Sequence, residues 1–473
     1  MTNYSIAVDI GASSGRLILG HIENGIMKLE ELHRFNNQII KIDGSFCWDI
    51  DFLFQEIING LKKCKELGIR PDSIGIDTWA VDFVLLDEKD QNLTEAVSYR
   101  DPRTDGMMDE VFNLIPKENL YLETGIQFQK FNTIYQLYSL KKNDPEILEK
   151  AKSFLMIPDY LNFLLTGIKI NEYTNATSTQ LVNAFTKQWD EELLDTLGIN
   201  KDIFHEIQLP TGVVGTLREE LVSELGFDMK VILPATHDTG SAVISVPEQD
   251  ETIYISSGTW SLMGVENRFP ICVPKALEYN FTNEGGMDYR FRFLKNIMGL
   301  WMIQEVKRNY QDQYSFVDFV ELAKKAKDFR AIVDVNDDRF LKPDNMIEEI
   351  QNYCVETKQP IPSTPGEVAK CVYDSLAESY LETVTEIEEI FEMTFPKINV
   401  IGGGCQNEML NQMIAEVTEK EVYAGPIEAT AIGNLAVQFM SLGKIKDINE
   451  ARLIISKSFE VKKYSPIQEV TNL

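Results

Sequence analysis

The sequence predicts a mixed α/β protein of two large domains. The chain has 473 residues, which is too long for one ordinary hydrophobic core. Short apolar segments typical of strands alternate with segments whose apolar residues recur at helical spacing. A strand, a turn of glycine and serine, and a second strand open the chain and recur from residue 252. These features indicate sheets with helices packed on them and an internal duplication, with domains predicted at residues 1–245 and 246–473.

The first quarter supplies most of the strands. The predicted strands are "SIAVDIG", "RLILGHI", "IMKLEELHRF" and "SIGIDTWAVDFVLLD". Before the last of them, "DIDFLFQEIINGLKKCKELG" has helical periodicity and ends at Gly68, a residue typical of a helix C-terminus. Residues 105–200 are more helical and contain a polar loop, "NEYTNATSTQ". We therefore expect a mixed sheet followed by a helical region.

The second half repeats this style. The predicted strand–turn–strand unit is "TIYISSGTWSLMGVE" at residues 252–266. A strand, a glycine loop and a helix are expected in "FPKINVIGGGCQNEMLNQMIAEV" at residues 395–417. A last helix of small and apolar residues is expected in "IEATAIGNLAVQFMSLG" at residues 427–443.

Composition excludes several classes of protein. A formal net charge of -29 at pH 7 argues against nucleic-acid binding, which depends on cationic side chains. The first residues lack the pattern of a secretory signal, and no long uncharged apolar stretch predicts a membrane span, so we expect a cytoplasmic protein. The six cysteines form no C-x-x-C pair, so we expect reduced thiols and no zinc site; Cys354 and Cys371 are the one pair to test as a disulfide.

The turn "DIGASSGR" at residues 9–16 is the first candidate site. Gly11 and Gly15 are expected to adopt backbone conformations closed to other residues, and the serines to bring N–H and hydroxyl donors to phosphate oxygens. Arg16 would add positive charge, and Asp9 could hold a hydrated Mg²⁺. An ordinary hairpin turn explains the same fragment equally well.

The common nucleotide-binding fingerprints are missing. The chain has neither a P-loop nor the protein-kinase loops. The stretch "IGGGCQN" at residues 401–407 lies between a predicted strand and helix, but it lacks the G-x-G-x-x-G spacing. Its three glycines predict a close approach of the backbone to a ligand, such as adenosine.

Seven motifs in a fixed order are more specific than any one of them. They are "VDIGASSGR", "IDTWAVDFVLLD", "YRDPRTDG", "THDTGSAV", "SSGTWSLMG", "LKNIMGLW" and "GGGCQN". In this order they resemble the carbohydrate-kinase family that includes glycerol kinase and xylulokinase, within the hexokinase–actin superfamily. The resemblance extends to about residue 440. Three stretches, of which two contain motifs of this series, resemble in particular the members that act on L-rhamnulose: "SIGIDTWAVDFVLLD", "EYTNATSTQLVN" and "FTNEGG…LKNIMGLW".

The resemblance implies two ribonuclease-H-like domains with an active cleft between them, the N-terminal one binding sugar and the C-terminal one nucleotide. It implies transfer of the γ-phosphoryl group of Mg²⁺-ATP to the 1-hydroxyl of L-rhamnulose. The implied ATP-binding residues are Ala12, Ser13, Ser14, Gly15, Arg16, Thr259, Gln304 and Gly403. The implied substrate-binding residues are Ala80, His237, Asp238, Thr239 and Asn296, the last contacting sugar or nucleotide.

Asp238 is the expected general base, since a carboxylate in reach of the acceptor hydroxyl can take its proton. His237 would contact the sugar or support packing, but neighbours on an extended segment point opposite ways, so it would not replace Asp238. Asp77 and Asp82 flank the "TWAV" turn and would bind hydroxyls or cap the hairpin.

Substrate preference and assembly stay open at this point. Ala80 stands where the family pattern has glycine, which leaves the exact ketose in doubt; fuculose and xylulose are the alternatives. A sugar-responsive, ATP-binding regulator without kinase activity is a further alternative. The expected partners are sugar and ATP, without nucleic acid or membrane. The sequence does not distinguish a monomer from a homo-oligomer.

Overall fold

The computed structural model describes residues 3–247 and 251–467, which divide into two compact units. The first unit comprises the residues up to Pro247 together with Glu266–Phe293 and Ala429–Ser458. The second comprises 251–265, Leu294–Glu428 and 459–467. Each unit contains a mixed sheet with helices, so the predicted α/β class is confirmed. The boundary between residues 245 and 246, with sugar bound by the residues before it and nucleotide by those after it, stays a prediction.

The strands follow one another along the chain as β1 (Ser5–Ile10), β2 (Ser14–Glu23), β3 (Ile26–Asn36), β4 (Ile39–Ile42), β5 (Ser45–Trp48), β6 (Ser73–Thr78), β7 (Phe83–Leu86), β8 (Ala96–Val97), β9 (Ser153–Met156), β10 (Asn171–Glu172), β11 (Ile207–Gln208), β12 (Val213–Thr216), β13 (Lys230–Ile232), β14 (Thr252–Ser257), β15 (Ser261–Asn267), β16 (Thr282–Gly285), β17 (Phe291–Ile297), β18 (Lys397–Ile401), β19 (Glu421–Ala424) and β20 (Lys462–Tyr464).

The helices are α1 (Ile50–Glu66), α2 (Met107–Leu114), α3 (Lys117–Thr124), α4 (Thr133–Asn143), α5 (Pro145–Lys150), α6 (Ile157–Thr166), α7 (Tyr173–Ala176), α8 (Glu191–Leu197), α9 (Glu219–Leu225), α10 (Asp238–Ile244), α11 (Pro274–Glu278), α12 (Trp301–Asn309), α13 (Phe316–Lys325), α14 (Met346–Glu356), α15 (Pro365–Phe391), α16 (Glu408–Thr418), α17 (Ala429–Ser441) and α18 (Ile448–Ser458).

The sheet of the first unit has the strand order β12-β13-β6-β1-β2-β3. Strands β1, β2 and β3 form an antiparallel meander, whereas β6 and β13 run parallel to β1. In the second unit, β15, β14, β18 and β19 lie side by side, with β15 antiparallel and β18 and β19 parallel to β14. The two units therefore open with the same strand–turn–strand arrangement and continue with parallel strands.

Apolar residues on both faces bury the central strands of the first sheet. Every residue of β1 and of β6 is buried, as expected for strands with helices on both sides. Helix α1 packs a face that includes Leu53, Ile57 and Leu61 into the same core. It ends two residues before Gly68, which takes the left-handed conformation (φ 70°). The predicted strands and helix of this region are confirmed, except that "SIGIDTWAVDFVLLD" divides into β6 and β7.

Candidate active site

The residue that follows β3, Asn37, stabilises the turn between β1 and β2 through hydrogen bonds. The Gly11 N–H donates to the Ser14 carbonyl (2.9 Å), which closes the turn. Asn37 braces it twice: its side-chain amide donates to the Gly11 carbonyl (2.9 Å) and its backbone N–H to the Ser13 carbonyl (3.0 Å). Within the described residues, the N–H groups of Ala12 and Ser13 bond nothing. This leaves two backbone donors in a rigid turn for an anion.

The expected role of the glycines in this turn is wrong in part. Neither Gly11 nor Gly15 has a φ in the left-handed region. Gly15 is needed for space instead, because an added Cβ would lie 2.2 Å from the Phe35 ring of β3. A Cβ on Gly11 would make only an ordinary contact, 3.7 Å from the Ser14 carbonyl oxygen.

Arg16 is not a free cation. It lies opposite Asp9 across the β1–β2 pair, and its Nη2 is 2.8 Å from the Asp9 Oδ2 while its Nε donates to the same oxygen at 3.1 Å. Both side chains are largely buried. Arg16 therefore neutralises Asp9 at the base of the turn, so any charge that it offers to a phosphate is shared with this carboxylate.

Three carboxylates converge beside this hairpin. Asp77 on β6 is the parallel neighbour of Asp9 on β1. Burial raises the pKa of Asp77 well above its usual range, and the charges of Asp9 and Asp238 raise it further. Its Oδ2 accepts a hydrogen bond from the Asn434 amide (2.6 Å), whereas its buried Oδ1 has no partner among the described residues. The arrangement thus brings three carboxyl groups close together, and two of them, Asp9 and Asp77, are buried.

Asp238 is the first residue of α10, directly after the strand segment that continues β13. The expectation of an extended segment holds for His237, which is the N-cap with φ -78° and ψ 121°, and fails at Asp238, where the helix starts. The Asp238 Oδ1 accepts hydrogen bonds from the Thr239 N–H (2.5 Å) and hydroxyl (3.1 Å). The side chain is 30% exposed, so it is open to a ligand. Burial, followed by the charge of Asp9, raises the pKa of Asp238, and the His237 ring opposes this shift.

His237 is buried between Asp238 and two residues near β16 and β17. Its Nε2 lies 3.5 Å from the Asp238 Oδ1. Its Nδ1 lies 3.0 Å from the Arg292 Nη2 and 3.2 Å from the Glu284 Oε2. Sequence reasoning missed Glu284 and Arg292; "FTNEGG", which contains Glu284, was noted only for its resemblance.

The stretch "NEYTNATSTQ" forms the support of this segment and not an exposed loop. All ten of its residues are buried. The Glu172 carboxylate accepts hydrogen bonds from the Thr236 N–H (3.1 Å) and hydroxyl (2.6 Å), and the Thr174 hydroxyl accepts one from the His237 N–H (3.3 Å). Glu172 therefore fixes the backbone immediately before His237 and Asp238.

The "TWAV" turn is strained at Val81. Val81 has φ 68°, which is rare for a β-branched residue, and the Asp82 N–H reaches back to the Ala80 carbonyl (2.9 Å) in a γ-turn. The Val81 carbonyl accepts from the Thr133 hydroxyl (2.6 Å) and from the Gln136 amide (3.2 Å). Ala80 itself has no left-handed φ, so a side chain is tolerated there without backbone strain.

Asp82 is occupied by protein donors. Its Oδ2 accepts from the indole N–H groups of Trp48 (2.6 Å) and Trp79 (3.0 Å), and its Oδ1 from the Gln136 amide (3.1 Å). Of the two alternatives left open for this residue, the structure favours the structural one. Trp79 is buried against Trp48, with ring centroids 4.2 Å apart.

The second unit places its candidate residues around one hairpin turn. Thr259 lies between β14 and β15, where the Gly258 N–H donates to the Trp260 carbonyl (2.9 Å). The start of α12 braces this turn, since the Trp301 N–H donates to the Thr259 carbonyl (3.0 Å). Gln304 lies one turn further along α12 and is half-buried.

The glycine loop after β18 lies against the end of β14. Gly402 has φ 82°, and a Cβ on Gly404 would lie 2.0 Å from the Ser257 hydroxyl oxygen. Around Gly403, by contrast, an added Cβ would meet nothing within 4 Å. At Gly404 the close neighbour is therefore the Ser257 side chain of the protein itself, and Gly403 presents an open face. The approach of this loop to a ligand stays a prediction. Asn296, near the end of β17, is half-buried.

The comparisons with known proteins identify the family. Residues 4–245 match the N-terminal domain and residues 253–442 the C-terminal domain of the FGGY family of carbohydrate kinases. The chain belongs to the FGGY family of carbohydrate kinases. It is therefore a sugar phosphotransferase, with ATP as its co-substrate.

Individual FGGY relatives are similar over nearly their whole length. A rhamnulokinase of Halalkalibacterium halodurans is 69% identical over 462 residues, which cover 98% of each chain. A rhamnulokinase of Oceanobacillus iheyensis is 65% identical, covering 99% of each chain. One from Bacillus subtilis is 48% identical, covering 97% of this chain and 95% of the relative.

Solved structures of other kinases confirm the fold. The gluconate kinase of Lactobacillus acidophilus superposes with a TM-score of 0.82 at 19% identity, covering 99% of this chain and 94% of that protein. The glycerol kinase of Plasmodium falciparum with ADP gives a TM-score of 0.79 at 14% identity, with coverages of 98% and 94%. The two-domain actin/hexokinase-like fold expected from the resemblance is thereby confirmed.

Other expectations can be compared with the described part of this FGGY kinase. All six cysteines are free thiols there, including Cys354 and Cys371. Within the two described ranges, 3–247 and 251–467, no group of three or more His, Cys, Asp or Glu side chains is arranged to hold a metal ion directly. No helix among these residues is long and apolar enough to cross a membrane.

Replacement of Asp82 by asparagine should change the pH dependence of stability. Burial raises the pKa of Asp82 from 3.8 to about 6. Between these values the folded protein keeps a proton that the unfolded chain has lost. The stabilisation by Asp82 is thus complete below pH 4 and is lost as the pH rises through 6, a change of about 3 kcal/mol.

Urea unfolding between pH 4 and pH 7 measures this effect. In Asp82→Asn, the free energy of unfolding should fall less steeply with rising pH than in the wild type. Asp195→Asn, at an exposed position of α8, is the matched control and should keep the wild-type slope. Parallel curves for Asp82→Asn and the wild type would show that the carboxyl is ionised across this range.

Proposed function

We propose that this protein is an ATP-dependent kinase that phosphorylates the 1-hydroxyl of L-rhamnulose to give L-rhamnulose 1-phosphate in L-rhamnose catabolism. The observation that carries the proposal is the series of relatives named rhamnulokinase at 69%, 65% and 48% identity over nearly full length. The convergence of "NEYTNATSTQ" and "FTNEGG" on His237 supports it, because these two motifs build the surroundings of the proposed sugar contact.

Asp238 acts as the general base in this proposal. The sugar 1-hydroxyl gives its proton to the Asp238 carboxylate, its oxygen forms a bond to the γ-phosphorus, and the bond to the bridging oxygen of ADP breaks. A carboxyl whose pKa is raised by burial is a stronger base, which suits this task. The hydrogen bonds from Thr239 orient the Asp238 side chain, and its exposed part is open to the sugar.

The binding residues are assigned within each unit. In the first unit we assign the sugar to His237, Asp238, Thr239 and the backbone of Ala80, and the phosphates to residues Ala12–Arg16. In the second unit we assign the nucleotide to Thr259, Gln304 and Gly403, and Asn296 to sugar or nucleotide. The unbonded N–H groups of Ala12 and Ser13 and the open face of Gly403 support these assignments.

A hydrated Mg²⁺ fits the acidic group of the first unit. Asp77 offers a buried oxygen that has no partner in the described part of the chain, and Asp9 and Asp238 lie close enough to raise its pKa. Few carboxylates and several retained waters are the usual surroundings of Mg²⁺, and no direct three-ligand site is needed. We propose that Asp9 and Asp77 hold the ion through water. When bound, Mg²⁺ neutralises charge on the ATP phosphates.

We also propose that the protein is located in the cytoplasm. The protein uses ATP, and its six cysteines are free thiols in the structure, which fits the reducing cytoplasm.

A panel of ketoses with coupled detection of ADP tests the substrate. L-Rhamnulose should give the highest kcat/KM, ahead of L-fuculose and D-xylulose. Ala80→Gly is the matched variant, since it restores the residue of the family pattern at a position without backbone strain. An equal or higher kcat/KM for another ketose would overturn the assignment. No ADP release with any ketose would favour the regulator without kinase activity.

A further inference from the structure

A buried guanidinium contacts the edge of His237 that faces away from Asp238. Arg292 on β17 is fully buried, and its Nη2 lies 3.0 Å from the His237 Nδ1 and 3.1 Å from the Glu284 Oε2. Its Nε donates to the Gly285 carbonyl at 2.9 Å, which fixes the plane of the group. An arginine side chain only donates hydrogen bonds, so Nη2 is the donor and the ring nitrogen the acceptor in the contact with His237, whereas its contact with the Glu284 Oε2 is an ion pair.

This contact determines which ring nitrogen carries the proton. Because Nδ1 accepts from Arg292, the neutral His237 ring carries its proton on Nε2. Nε2 is the nitrogen that lies 3.5 Å from the Asp238 Oδ1. An N–H group, and not a lone pair, therefore faces the carboxylate.

The two carboxylate oxygens of Asp238 therefore differ in the hydrogen-bond donors that surround them. The Thr239 backbone N–H and hydroxyl both donate to Oδ1, and the ring Nε2–H of His237 faces the same oxygen. No donor among the described residues bonds Oδ2. Oδ2 is thus the oxygen left to accept a proton from a ligand.

We propose that Arg292 is a positioning residue of the kinase reaction, which fixes His237 in its Nε2–H tautomer and thereby holds Oδ1 of Asp238 so that Oδ2 faces the sugar hydroxyl. This inference rests on the proposed function, because it takes Asp238 as the base. Glu284 balances the charge of Arg292, and its Oε2 lies 3.2 Å from the His237 Nδ1. If the guanidinium is removed, this carboxylate is placed to accept a proton from Nδ1 and to reverse the tautomer.

Two variants separate tautomer control from packing. Arg292→Met removes the donor and leaves Glu284 to stabilise the Nδ1–H tautomer. In Arg292→Met/Glu284→Gln, the glutamine amide can donate to Nδ1 again, and both buried charges are removed together. The double variant should therefore restore the Nε2–H tautomer without restoring the arginine.

Nitrogen NMR of protein labelled with ¹⁵N-histidine gives the tautomer directly. The chain has only four histidines, and His237→Gln assigns the signal of interest. We expect Nε2 to be protonated in the wild type and in the double variant, and Nδ1 in Arg292→Met. With saturating ATP and sugar, kcat of Arg292→Met should fall about 10- to 100-fold, and the double variant should recover most of it.

A wild-type spectrum with the proton on Nδ1 would overturn the proposal, as would an Arg292→Met enzyme with unchanged kcat. A loss of kcat in both variants without a change of tautomer would also overturn it, because it would show that Arg292 only supports packing. If Arg292→Met does not fold, the wild-type spectrum and the folded double variant still decide. Asp238→Asn distinguishes the two levels, since full turnover there would refute the base while the tautomer stays measurable.

Discussion

Asp238→Asn should lower kcat by about 10²- to 10⁴-fold, because asparagine keeps the shape of the side chain and cannot take the proton of the acceptor hydroxyl. The Thr239 N–H and hydroxyl can still donate to the remaining carbonyl oxygen, so α10 should begin as it does now. The affinity for ATP should stay nearly unchanged. Steady-state turnover with saturating ketose, together with a separate titration of nucleotide binding, measures both quantities.

Asp195→Asn in α8 is the control for this variant, because it makes the same chemical change at an exposed position. It should keep wild-type kcat. If Asp238→Asn turned over sugar at a near-normal rate, the proton acceptor would be another group. A parallel loss of ATP affinity would instead indicate that the substitution had disturbed the acidic group with Asp9 and Asp77.

Gly433→Ala should destabilise the first unit by about 3 kcal/mol or more, at the upper end of the usual cost of overpacking. Gly433 on α17 faces α10, and a Cβ there would lie 1.8 Å from the carbonyl oxygen of Ser241. The clash is with backbone, so no change of rotamer relieves it. Since α10 begins with Asp238, separation of the two helices should lower kcat as well.

Urea unfolding and turnover measured on the same preparations test this prediction. Gly403→Ala is the matched glycine control, because its Cβ would meet nothing within 4 Å and its φ is not left-handed. It should keep the wild-type unfolding midpoint, whatever its effect on the KM for ATP. An unchanged midpoint in Gly433→Ala would mean that α10 and α17 can move apart without cost.

Local signals explain what the sequence revealed. Strands β1 and β2 were predictable because apolar residues flank a short turn of glycine and serine, and α1 because its apolar residues recur at helical spacing. The pair His237–Asp238 stood out because few histidines occur in the chain and this one follows an apolar segment. The resemblance of ordered motifs then supplied the family, which no single motif could.

Long-range contacts explain what the sequence did not reveal. Gly15 was expected to allow unusual backbone angles, but glycine is needed there because the Phe35 ring leaves no room for a Cβ. Only the register of β2 and β3 brings that ring into place. "NEYTNATSTQ" was assigned to a polar loop because its polar composition hides its burial; beside its local donors, Glu172 accepts from Thr236, 64 residues away. Glu284 and Arg292 likewise become partners of His237 only through the fold.

Helix α17 gives the first unit an unusual order of assembly. Its Asn434 side chain binds Asp77, and its Gln438 side chain binds the Ile6 carbonyl, 432 positions earlier in the chain. During synthesis on a ribosome, the sheet of the first unit must therefore wait for the 432 positions between Ile6 and Gln438 before these buried amides arrive. This sheet should thus stay incompletely closed until α17 has been synthesised, and chaperones should bind the apolar surface that it exposes until then.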